Sequence, residues 1–154
     1  MKYVLDSNIL IHYSRQSHVW RQVQKKYITK GFRNSSYISF AADAEANSFS
    51  KSNNWGSKKL SLLQAIINQS TTIHSNFRDL KKAYIKIDLY SQNRHKSLRL
   101  PKEFTVRNMG KNDLWIAATA YVLQIPLIST DKDFQHLDGI FFDFIYINPE
   151  LVAT

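Results

Sequence analysis

No cysteine occurs among the 154 residues. That excludes a disulfide scaffold, a thiol nucleophile and a thiolate-held zinc site, and it suits a reducing cytoplasm. Glycine is scarce at four residues and proline at three, so the chain has no linker-rich or low-complexity stretch. It also has no glycine-rich loop to cradle phosphates, which excludes the usual nucleoside-triphosphate and dinucleotide sites. A membrane-spanning run is missing too. The longest charge-free stretch, Leu114 to Thr130, is 17 residues, is interrupted by Gln124 and Pro126, and falls short of the ~20 a bilayer requires. Met1-Lys2-Tyr3-Val4-Leu5-Asp6 meets a carboxylate after three apolar residues, unlike a signal peptide. The five histidines (His12, His18, His74, His95 and His136) show no metal-binding spacing and read as surface or structural.

Acids are in short supply as well. Twelve Asp+Glu face 21 Lys+Arg, for a net charge of +9. The imbalance is uneven: residues 1–111 hold 20 Lys+Arg and 6 Asp+Glu, whereas residues 112–154 hold one Lys and six acids. A basic body beside an acidic C-terminal quarter suits a polyanion-binding surface next to an acidic pocket. The length fits one domain over residues 1–154, able to bury roughly 68–70% of its unfolded surface.

Short apolar runs alternate with helical patterns. Strands are expected at 2–5, 36–40, 126–129 and 144–147, with a further short one at 71–74. Ser7-Asn8 offers cap chemistry for a short helix through Tyr13. A second helix starts near Ser17 and closes at Gly31. Others are expected over 41–53, 57–68, 76–92 and 112–124, with Phe77, Leu80, Tyr84 and Ile87 on one face of the 76–92 helix and Asn112 capping the last. Residues 133–137 form a turn or short helix. The segment 94–111, with Pro101, Gly110 and a cluster of cations, reads as a loop. Strands separated by helices imply an α/β fold with a mainly parallel sheet of four to five strands, in which sites form outside the carboxyl ends of the strands.

The few acids occupy telling positions. Asp6 ends the first strand and Asp131 follows the fourth element of the sheet. Asp113 opens a helix that is apolar nearly all round and therefore buried; its bland role would be that of a helix-dipole acid. Glu45 shares a helical face with Ala41, Ala42 and Phe49, and so points to the core side. Asp43 shares its face with Asn47, Ser50 and Asn54 and points to water. Two carboxylates at 4 Å repel by roughly 4 kcal/mol at an effective dielectric of 20. Gathering four calls for a cation, and oxygen-only ligands favour Mg²⁺ or Mn²⁺ over Zn²⁺.

These residues resemble a known family. Val4-Leu5-Asp6-Ser7-Asn8, the Ser39–Glu45 segment, Asn112-Asp113-Leu114-Trp115-Ile116-Ala117-Ala118 and Ile128-Ser129-Thr130-Asp131-Lys132-Asp133-Phe134 look like the successive motifs of PIN-domain ribonucleases, and within them the VapC-type toxins of toxin–antitoxin pairs. The resemblance implies a three-layer PIN fold with helices flanking the sheet. It implies Asp6, Glu45, Asp113 and Asp131 as the catalytic, metal-binding acids, with Asp133 a substitute or helper and Asn8 and Thr130 as small polar residues orienting ligands. It further implies Mg²⁺- or Mn²⁺-dependent hydrolysis of RNA, a homodimer, and an antitoxin entering the cleft. Arg94, Lys96, Arg99, Lys102, Arg107 and Lys111 are candidate RNA-backbone contacts, or else a disordered basic loop. Trp20 and Trp55 are core residues before they are base-stacking ones. The rival functions are a PIN scaffold that binds without cutting and a processing nuclease without an antitoxin. A phosphohydrolase of the haloacid-dehalogenase type would need a second acid where Asn8 stands.

Overall fold

The computed structural model describes residues 1–151. Tyr3, Val4 and Leu5 form strand β1 (Tyr3–Leu5), and all three are buried, as a strand covered on both faces requires. The other strands are β2 (Ser36–Ser39), β3 (Thr71–Ile73), β4 (Leu127–Ser129) and β5 (Phe144–Tyr146). Every pairing among them is parallel, and the order across the sheet is β3-β2-β1-β4-β5. The helices are α1 (Ser7–Ser14), α2 (His18–Lys26), α3 (Phe40–Ser52), α4 (Ser57–Gln69), α5 (Leu80–Ser91) and α6 (Lys111–Leu123), followed by a 3₁₀ turn, Lys132–Leu137. They flank the sheet in a three-layer α/β arrangement.

The order of the strands decides where a site can form. The chain runs outward from β1 through β2 to β3, then returns to lay β4 on the other side of β1. Such a reversal opens a crevice at the carboxyl edge, between the strands on either side of it. Leu5 pairs with Ile128 in this central ladder, so the next residues along, Asp6 after β1 and Ser129 at the end of β4, emerge side by side. Helix α6 is held against the crevice by its own apolarity: Leu114, Ile116, Ala117, Ala118, Thr119 and Ala120 are all buried, and it packs on α5, α3, β1 and β2.

Several local expectations need correction. Asp6 itself, not Ser7 or Asn8, caps α1; its carboxylate accepts the Ser7 N–H at 2.7 Å. Helix α2 ends at Lys26, and Gly31, at φ +84°, serves a later turn. The expected 76–92 helix begins only at Leu80, because Asp79 adopts a left-handed conformation at φ 63° that breaks the run. Phe77 therefore lies outside the helix, 41% exposed. Gly110 precedes α6, and Asn112 is not its cap.

The basic segment is not a disordered loop. Residues 94–110 hold no regular element, yet they form a strap tied across the end of α5. The Arg107 N–H donates to the Ser91 carbonyl at 3.0 Å, and the Leu100 N–H donates to Asn93 Oδ1 at 3.1 Å. Ser91 Oγ donates to Met109 Sδ at 3.3 Å, and Leu100 is buried. Trp20 stacks on Phe32 with ring centres 5.2 Å apart, and Trp55 meets Phe49 edge-on with Arg15 and Lys59 over its ring. Both indoles are buried and belong to the packing.

Candidate functional site

Asp6 is the buried centre of the site, only 2% exposed. Its Oδ1 accepts the Ser7 N–H, and its Oδ2 accepts Ser129 Oγ at 2.5 Å. The serine that ends β4 thus clamps the acid that ends β1. Ser129 Oγ also accepts the Asp131 N–H at 2.9 Å and lies 3.4 Å from Asn8 Nδ2, its donor. Asn8 Oδ1 accepts the Thr130 N–H at 3.5 Å, a long contact. Asn8 and Thr130 accordingly meet beside the Asp6–Ser129 pair, where they shape the turn after β4.

Glu45 reaches the same place from α3. Ser7 Oγ donates to its Oε1 in a short hydrogen bond, and Asn112 Nδ2 donates to its Oε2 at 2.7 Å. Glu45 is half-buried, as its helical phase suggested. Asp43 is half-buried too rather than turned fully to water; it accepts Asn47 Nδ2 at 2.7 Å. The amide of Asn112 is therefore spent on a carboxylate of another helix instead of on its own helix end.

Asp113 sits half-buried in the first turn of α6. Gly110 lies so near that a Cβ on it would stand 3.4 Å from Asp113 Oδ2. Asp131 caps the 3₁₀ turn, its Oδ1 accepting the Asp133 N–H at 2.8 Å. The structure separates these two neighbours. Asp133 is exposed and its carboxylate faces Arg107 Nη1 at 3.6 Å, while the same Nη1 donates to the Asp133 carbonyl at 3.3 Å. Arg107 is half-buried and engaged, whereas Arg94, Lys96, Arg99, Lys102 and Lys111 are exposed. Lys111 belongs to α6 rather than to the strap.

The electrostatics bind the four acids into one unit. Burial pushes the Asp6 carboxyl up from 3.8 to about 6, with the charges of Glu45 and Asp131 adding to it and the Ser129 and Ser7 hydrogen bonds opposing it. Burial likewise raises Asp113 to about 7, and Asp6, Asp131, Glu45 and Asp133 contribute in that order. Buried carboxylates that also repel one another fit a cation between them, and their donors are all oxygen, the preference of a hard divalent ion. Among the described residues no three such side chains already form a closed metal-binding group. An ion here would rely on small carboxylate movements or on its own waters, as Mg²⁺ commonly does. Sequence reasoning missed Ser129, Ser7 and Asn112 as supports. The register Leu5–Ile128, visible only in the folded sheet, is what sets Ser129 opposite Asp6.

The family model for the PIN domain matches residues 3–140. The chain belongs to the PIN-domain family. Among solved structures, the PIN domain here is similar to a chain of VapBC2 from Rickettsia felis bound to a DNA fragment from its promoter, with a TM-score of 0.67 at 16% identity, covering 95% of this chain and 98% of that one. It is similar to a chain of VapBC-1 from nontypeable Haemophilus influenzae, with a TM-score of 0.63 at 21% identity and the same 95% and 98% coverage. A chain of VapBC-5 from Mycobacterium tuberculosis, a member of the VapBC family of toxin–antitoxin systems, matches with a TM-score of 0.60 at 21% identity, again over 95% and 98%. At these identities the likeness is one of fold. A sequence search of curated proteins finds no match. No helix of the PIN domain is long and apolar enough to cross a membrane among the described residues.

Proposed function

We propose that this PIN domain is a single nuclease domain over residues 1–154 that hydrolyses RNA phosphodiester bonds with Mg²⁺ or Mn²⁺, as the toxin of a toxin–antitoxin pair. One observation carries the reading: four carboxylates from four separate elements share one crevice, where burial first and then their mutual repulsion raise Asp6 to about 6 and Asp113 to about 7, in a protein of net charge +9. A structural ion pair would bring a Lys or Arg into that crevice; among the described residues none of these four acids makes a salt bridge.

Asp6, Glu45, Asp113 and Asp131 would hold the metal. A divalent ion bound there supplies charge neutralisation at the scissile phosphate and lowers the pKa of a bound water. The chain's own residues set the geometry. Ser129 and the Ser7 N–H fix both oxygens of Asp6. Ser7 and Asn112 fix both oxygens of Glu45, which leaves it orienting as much as binding. Asp131 is pinned between Ser129 and the Asp133 N–H, so its second oxygen is the one turned to the crevice chemistry. Asn8 and Thr130 are auxiliary, and Asp133 is held to the side by Arg107.

The toxin role is supported by the likeness to chains of VapBC complexes from three organisms. By the same reading the protein works in the cytoplasm, pairs as a homodimer, and is silenced by a cognate antitoxin. The test is cleavage of an RNA pool in Mn²⁺ or Mg²⁺ by wild type and by Asp113→Asn. Activity is expected in wild type and a loss of at least about a hundredfold in the variant, which should still melt cooperatively and no lower than wild type without metal. Equal activity in both proteins rejects the reading.

A further inference from the structure

Beside the acid crevice lies a second cavity of about 220 Å³, lined by Thr105, Val106, Arg107, Asn108, Met109, Gly110 and Asp133. It shares two walls with the crevice. Gly110 precedes the helix that carries Asp113, and Asp133 adds its charge to the field on Asp113. The cavity therefore opens within one nucleotide's reach of the place where a scissile phosphate would be held.

Its chemistry differs from that of a phosphate pocket. The one cation in the lining, Arg107, is matched by Asp133 through both a carboxylate and a carbonyl contact, so the pocket offers no net positive charge. What it offers is a flat guanidinium in a fixed place. Arg107 is held from the backbone side by its N–H to Ser91 and from the head by Asp133, and its Nε donates to the Thr105 carbonyl at 3.4 Å. Val106, 54% exposed, adds an apolar surface. The exposed side chains of Asn108 and Thr105 make no hydrogen bond within the described residues and have polar atoms free for a ligand. Unstacked RNA bases are recognised in this way: a flat side chain to stack on, and amide or hydroxyl groups for the base edges.

We propose that the strap residues 105–110 form the subsite for one unstacked nucleobase flanking the cut, which stacks on Arg107 and is read at its edge by Asn108 and Thr105. The inference rests on the RNA-cleaving reading but is tested apart from it. Short single-stranded RNAs are bound to the Asp113→Asn protein, each oligonucleotide paired with versions abasic at one position. One position is expected at which the base contributes about tenfold to affinity. Asn108→Ala should erase that contribution while leaving the abasic versions bound as before, and Arg107→Ala should erase the difference between each oligonucleotide and its abasic version; Asn108→Asp, which keeps the shape and changes the hydrogen-bonding edge, should change which base is favoured there. In the active protein, the cleavage profile on a random RNA pool should lose its preference at that same position.

A uniform loss of affinity, abasic versions included, would assign the strap to backbone contact and overturn the proposal. So would an unchanged base dependence in the variants, or the absence of any base-dependent position in the parent. Base-dependent binding without cleavage by wild type would reject the nuclease reading and leave the subsite standing.

Discussion

Asp113 carries a cost in stability that its proposed role in the chemistry would explain. Its carboxyl, raised to about 7, prefers to be neutral in the fold. An acid raised in this way contributes stability that is complete below its unfolded value of 3.8 and is lost as pH rises through about 7. Asp6 behaves alike, and its rise from 3.8 to about 6 corresponds to roughly 3 kcal/mol. His136 runs the other way. Burial and the nearby Arg107, partly offset by Asp133, lower it to about 4, so its contribution is present above 6.5 and fades as pH falls through 4. A comparison of wild type with Asp113→Asn cancels the histidine. Without metal, Asp113→Asn should melt several degrees above wild type at pH 8, and the gap should close as pH falls from 7 towards 4. Thermal scans in EDTA across that range measure it; a gap independent of pH would contradict the repulsion. Millimolar Mn²⁺ should raise the wild-type melting temperature and leave the variant nearly unmoved. Asp6 and Asp113 were legible in the chain because a strand end and a helix start are local facts. The partners that tune them were not, since Ser129 lies 123 residues from Asp6 and Asn112 lies 67 from Glu45. Asn112 looked like a cap because asparagine is a good one; a carboxylate from another helix competed for its amide and won.

Elements place these residues, and α6 matters most. With Ile116, Ala117, Ala118 and Ala120 at 0% exposure, its small side chains let it sit tightly on β1, β2 and α5. Ala118→Leu should therefore cost about 1–3 kcal/mol through overpacking, read as a lowered denaturant midpoint, and should cut activity in step because Asp113 rides on the same helix. The start of that helix is equally confined. Gly110→Ala would put a methyl 3.4 Å from Asp113 Oδ2, in ordinary but tight contact. A fall in metal affinity of a few fold with little loss of stability is the expected result, read by titrating Mn²⁺ against the melting temperature. The parallel character of the sheet and the buried character of α6 could be read from the chain because both follow from the pattern of apolar residues. The strap could not. Its composition is that of a solvated loop, and what orders it is a set of distant contacts: Ser91 with Met109, and Arg107 with Asp133 across 26 residues. Helix α5 was overextended for a related reason, since Phe77 continued the apolar spacing while Asp79 took a left-handed turn that no spacing reveals.

At the scale of the molecule, charge and topology act together. On the proposed reading, the net charge of +9 draws in a polyanion, and the acid crevice would receive it only where a cation intervenes. Affinity of the Asp113→Asn protein for single-stranded RNA should fall linearly with salt on logarithmic axes, by about 0.7 per phosphate contact. Replacing Arg94, Lys96 and Arg99 by Ala should flatten that slope if these exposed cations meet the backbone; filter binding between low and physiological salt decides it. Topology has a consequence of another kind. The central strand β1 is made well before its neighbour β4, which begins at Leu127, and the acids that Asp6 must meet stand at 45, 113 and 131. A growing chain on the ribosome thus carries Asp6 well before Asp113 and Asp131 can join it. On the proposed reading, the crevice that would cut RNA closes only once β4 has emerged, so the partly made chain stays harmless to the message and machinery that are making it.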